Sequence, residues 1–71
     1  MPSLQSNLSK YIGMAVVIIY QDRSNRITKR QILIRSVTHT HVRATCLESG
    51  GPRLFKLHNI LAHEPVIRDV G

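Results

Sequence analysis

A chain of 71 residues with a formal net charge of +6 is long enough for one small domain, and such a domain buries only about 60% of its unfolded surface. The single cysteine excludes an intramolecular disulfide and suits a reducing compartment, so the expected location is the cytoplasm. The N-terminal segment lacks the basic start and apolar stretch of a signal peptide, and the run from Ile12 to Tyr20 is too short to span a bilayer, so no membrane partner is expected.

A pI of about 10.5 points to anionic partners. The distribution of charge sharpens this. Lys29, Arg30, Arg35, Arg43, Arg53 and Lys56 face only one acid in the same span, Glu48. The charge therefore falls where strands are expected rather than in a basic tail.

Leu4, Leu8 and Ile12 recur every four residues and predict a short helix over about residues 3–12, with Ser3 as its N-cap, Pro2 before it and Gly13 ending it. Met14 to Tyr20 is β-branched and predicts a buried strand. Gln21 to Arg26 is a polar turn. Ile27 to Val37 is long for one strand. Its alternation puts Arg30, Ile32, Ile34 and Ser36 on one face and Lys29, Gln31, Leu33 and Arg35 on the other, which suits a bent strand serving two sides of a barrel.

Thr38 to His41 makes a turn. In the next strand, to Leu47, Val42, Ala44 and Cys46 share one face and His41, Arg43 and Thr45 the other. Glu48 to Pro52 is a strong turn signal. Arg53 to Leu57 predicts a strand with Arg53, Phe55 and Leu57 on one side and Leu54 and Lys56 on the other. A short helical turn is expected over His58 to Leu61, then a final edge strand from Val66 to Arg68, limited by Pro65. The fold class is mainly β: one N-terminal helix followed by a five-stranded bent antiparallel sheet or partly open SH3/Sm-like barrel. The whole chain, 1–71, is expected to be one domain, with the barrel over about 14–68.

Several stretches resemble a known family. Ile18-Ile19-Tyr20, Arg30-Gln31-Ile32, Val42 to Cys46 and Arg53-Leu54-Phe55-Lys56-Leu57-His58-Asn59-Ile60 follow one another as the segments of WYL domains of bacterial regulators do. The likeness runs from about Val16 to Val66. The name-giving triplet falls on Thr40-His41-Val42, so its Trp and Tyr are absent, and His58 stands where the family usually has an acid. The resemblance implies a stand-alone SH3-like barrel with a regulatory role, in which Arg53 helps to hold nucleic acid or a nucleotide-like anion. Leu8 to Val16 is also similar to the helix-to-strand entry of Sm-like RNA-binding proteins.

The candidate ligand or nucleic-acid residues are Arg30, His41, Arg43, Arg53 and Lys56. Guanidinium suits phosphate because its fork gives two parallel hydrogen bonds. Arg30, Arg43 and Arg53 are candidates for one groove, each neutralising a phosphate. Arg53 and Lys56, three apart on a strand, point to opposite faces. His41 is a candidate for stacking on a base or donating to phosphate. His39 and His41 have metal-compatible spacing, with His58, His63 and Cys46 as the only further ligands to consider, and no metal or cofactor is expected. Tyr20 reads as a barrel residue with its hydroxyl at the rim. With only Tyr11, Tyr20 and Phe55 as aromatics, backbone electrostatics should outweigh base stacking.

No acid pair, activated nucleophile or phosphate-cradling glycine loop is present, and Gly50-Gly51 reads as a hairpin turn, so no enzyme is expected. The leading expectation is a small regulatory module that binds nucleic acid or a nucleotide-like ligand. The alternative is an interaction or oligomerisation module, pairing its strand edges with itself or with a larger regulator.

Overall fold

A computed structural model describes residues 4–66. Helix α1 spans Leu4–Ser9 and is followed by strands β1 (Ala15–Gln21), β2 (Ile27–Val37), β3 (His41–Cys46), β4 (Pro52–Lys56) and β5 (Ile60–Pro65), with a single 3₁₀ turn at Leu57–Asn59 between the last two. All neighbours are antiparallel, and the order across the sheet is β4-β3-β2-β1-β5. The expected mainly-β class with one short helix and five strands is what the chain forms. The sheet does not close, and β4 and β5 remain its two edges.

The order dictates the curvature. Five strands laid flat put the outer pair about 19 Å apart. Lys56 and Ile60, which end β4 and begin β5, are four residues apart, and a 3₁₀ path covers only about 8 Å in that many steps. The sheet must therefore curl until its edges approach one another. At the meeting point, the Tyr20 and Phe55 rings pack edge to face with centroids 4.9 Å apart. The Lys56 amide donates to the Tyr20 hydroxyl at 3.2 Å.

The concave face holds the core. Leu8, Val16, Ile18, Ile32, Ile34 and Val42 have no exposed surface, and Ala44, Phe55, Leu57 and Ile60 complete the cluster. Val16 and Ile18 alternate with half-buried Val17 and Ile19 because β1 is paired on both sides. In β3, Val42, Ala44 and Cys46 point inward, as their alternation predicts.

Four expectations need correction. The helix stops at Ser9, well short of residue 12, so Ile12 leaves the apolar stripe and is 47% exposed, while Tyr11 packs on the core instead. Gly13 therefore does not end the helix: it lies four residues beyond, where its left-handed φ of 85° turns the chain toward β1. The proposed cap Ser3 and the preceding Pro2 lie outside the described residues. In β2, the pairing shifts between Ile34 and Ser36, so Ser36 lies opposite exposed Arg43 and Val37 joins the core opposite Val42. A bulge of this kind inserts one residue and reverses the faces beyond it. The last strand begins at Ile60, not Val66, because Ile60 is a core residue and the chain can pair with β1 at once. The helical turn accordingly falls at Leu57–Asn59 rather than over His58 to Leu61. Pro65 ends this strand, opposite Val16, instead of preceding it, and the last strand is an edge as expected. Of the expected final strand, Ile67 and Arg68 lie outside the described residues.

Candidate nucleic-acid interface

The bulge and the pleat decide where the basic side chains go. On β3, His41 and Arg43 point away from the core, and their ladder partners on β4 are Lys56 and Leu54. Edge strand β4 keeps only Phe55 buried. The outer surface of β3 and β4 is thus a strip of cations with an exposed leucine, Leu54, among them.

The β2–β3 turn closes with the Thr38 amide donating to the His41 carbonyl at 2.8 Å. The Thr38 hydroxyl oxygen accepts from the amides of Thr40 (3.3 Å) and His41 (3.0 Å), which holds a tight turn. His41 Nδ1 and Thr40 Oγ1 are 2.8 Å apart. The Leu57 amide then donates to the Thr40 carbonyl at 2.9 Å. That bond fastens the 3₁₀ turn to the β2–β3 turn and brings His58 beside His39 and His41.

The surface there sinks into an open depression of about 480 Å³, with Leu4 and Leu57 as apolar lining and His39, Thr40, His41, Lys56, His58 and Gln5 as polar lining. A second depression shares His41 and Lys56 and adds Tyr20, Asp22, Arg23, Leu54 and Asn59. A third shares Leu54 and adds Arg43, Pro52 and Arg53. The three run end to end as one track along β3 and β4. Among the described residues Asp22 is the only acid lining it, and its Oδ1 accepts the amides of Ser24 (2.8 Å) and Arg26 (3.0 Å) within its own turn. Among the described residues, Arg43, Arg53 and Lys56 carry no ion pair.

Four of the five candidates therefore lie on one track: His41 and Lys56 together, then Arg43 and Arg53 together. Arg53 belongs to the same pleat face as Phe55 and Lys56 to the opposite one, as their spacing predicts, but β4 is an edge and exposed Arg53 borders the outer surface. Arg30 is not with them. It shares the inner face of β2 with Ile32 and Ile34, is half-buried, and donates from Nε to Thr28 Oγ1 at 3.3 Å. The three-arginine groove is thus not formed, because Arg30 and Arg43 lie on opposite faces.

Reading the sequence for anion-binding residues passes over Arg23 and Asn59, and considers His58 only as a metal ligand. His58 follows Lys56 by two, and the 3₁₀ turn between them breaks strand alternation. Arg23 arrives through the β1–β2 turn, where Asn25 takes a left-handed φ of 62°. Neither is visible to period-2 counting.

Other reactive groups sit apart. Among the described residues, no group of three His, Cys, Asp or Glu side chains could hold a metal ion. Cys46 is a free, buried thiol on the inner face, held below its ordinary pKa chiefly by a hydrogen bond from the Ser49 hydroxyl, and also by the amides of Ser49 and Glu48. Tyr20 packs edge to face with Phe55, and the Tyr11 and His63 ring centroids lie 6.3 Å apart. Gly50, with φ 77°, makes the β3–β4 turn and donates to the Cys46 carbonyl at 2.7 Å. Among the described residues, no helix is long and apolar enough to cross a membrane. No protein-family model matches the chain, and no curated protein matches it.

Proposed function

We propose that the protein is a small, non-catalytic binding module of the cytoplasm that holds single-stranded nucleic acid, or a nucleotide-like anion, along the β3–β4 track, in a regulatory role. The observation that carries this reading is the linkage of three depressions through shared His41, Lys56 and Leu54, with cations along the length and one turn-bound acid. Guanidinium and ammonium groups spaced along a track neutralise successive phosphates. Imidazole and apolar lining at the β2–β3 turn offer room for a base beside them. The likeness to WYL domains supports the same reading through Arg53. The scarcity of aromatic residues favours a backbone-directed, sequence-tolerant grip.

The test is fluorescence anisotropy of a labelled single-stranded oligonucleotide at low and near-physiological salt. Binding should weaken as salt rises, with a slope that falls by about one when one phosphate contact is removed by Arg53→Ala or Lys56→Ala. Absence of binding at low salt contradicts the reading.

A second reading rests on the two open edges. Strands β4 and β5 each leave one side unpaired and carry exposed Leu54 and Leu61, 60% and 50% accessible. Edge pairing between copies, or with a regulator protein, satisfies such groups. It predicts a salt-insensitive assembly in sedimentation and no dependence on Arg53 or Lys56.

A further inference from the structure

We propose that the β2–β3 end of the track is a proton-gated anion site, in which His39, His41 and His58 gather protons around Lys56 as pH falls and tighten the hold on a phosphate-bearing ligand. This rests on the binding reading above and adds its regulation. Three of the four histidines in the chain line this one depression, although they come from two separate segments. His39 and His41 arrive on the β2–β3 turn, and His58 arrives on the 3₁₀ turn that the Leu57-to-Thr40 hydrogen bond fastens beside it.

The groups that face them are few. Helix α1 contributes Leu4 and Gln5, neither of them charged, and β4 contributes Lys56. The adjoining depression contributes Arg23 and Asp22, and Asp22 already accepts two amides of its own turn. Among the described residues, no carboxylate lines the histidine depression itself. His39 and His58 are exposed and His41 is half-buried, so solvent and a ligand can reach all three rings. Imidazole is the side chain whose charge changes between about pH 5 and 8. With the imidazoles neutral, the depression carries the charge of Lys56 alone. With them charged, it carries up to four positive charges in one place. An anion bound there favours the protonated forms, and by linkage protons favour the anion.

The experiment is the anisotropy of a labelled oligothymidylate at constant ionic strength from about pH 8 to about pH 5.5. Affinity is expected to rise on the order of tenfold toward acid, because the ligand's negative charge favours the protonated rings. The triple variant His39→Gln, His41→Gln, His58→Gln should lose the rise, read as the ratio of its own affinities at the two ends of the pH range. His63→Gln, away from the track, should keep it. Circular dichroism at both ends verifies folding. If the triple variant does not fold, each single variant should lose part of the rise. Salt-sensitive binding that is flat in pH, or a rise that survives in the variants, overturns the gate and leaves the binding reading standing. No binding at either pH in low salt overturns both.

Discussion

On the inner face of the sheet, Val16, Ile18, Ile32, Ile34 and Val42 are wholly enclosed and Arg30 is drawn partly in among them. On the outer face of β3 and β4, Arg43, Leu54 and Lys56 stand in water, half-buried His41 beside them, with no ion pair on Arg43 or Lys56 among the described residues. The two faces are made from the same strands and differ by the parity of single positions. The inner face is explained entirely by burial. The outer face is not: charge of one sign held close together is repulsive, and nothing in the packing requires it. The stability of the fold and the character of the track are therefore separable, and substitutions should divide cleanly between them.

The largest expected effect is on the inner face. Ile34→Ala removes a fully enclosed side chain and should cost about 2–5 kcal/mol, against a total of about 5–15 kcal/mol for a typical domain. Urea denaturation reads this directly, and a midpoint unchanged from the parent would break the account of the core. Next comes the track. Combined Arg43→Ala, Arg53→Ala and Lys56→Ala should abolish salt-sensitive oligonucleotide binding while shifting stability by no more than about 0.5 kcal/mol per substitution, the range typical of surface sites. Loss of folding in that variant would erase the distinction between the faces.

A smaller effect tests the seam where they meet. Tyr20→Phe removes the hydroxyl that accepts the Lys56 amide and should cost about 1 kcal/mol by the same denaturation assay. The smallest effect sharpens the comparison most. Arg30→Ala should leave the salt slope of binding unchanged, because Arg30 lies on the inner face. A slope reduced as much as by Lys56→Ala would place Arg30 on the track after all.

Much of this was legible in the sequence. The alternation of Val42, Ala44 and Cys46 is enough to orient β3, and hence to turn Arg43 outward. The apolar Phe55 and Leu57 similarly orient β4. What escaped was what alternation cannot encode. The bulge at Ile34/Ser36 reverses the end of β2 without any glycine or proline to announce it. The crossing from β4 to β5 is a matter of topology, and it alone brings His58 to His39 and His41. The expected groove of three arginines fails because neighbouring strands need not present their cations on one face: Arg30 lies with Ile32 and Ile34, and Arg43 points outward.

The central claim is that one continuous track on β3 and β4 receives the ligand. The most direct measurement is amide chemical-shift mapping of the isotopically labelled protein during titration with a single-stranded oligonucleotide. The account expects shifts at Arg23, at His39 to Arg43 and at Arg53 to Asn59, and none beyond background at Val17, Ile19 and Ala62 on the opposite end of the sheet. Shifts confined to that opposite end, or no shifts at low salt, would contradict it.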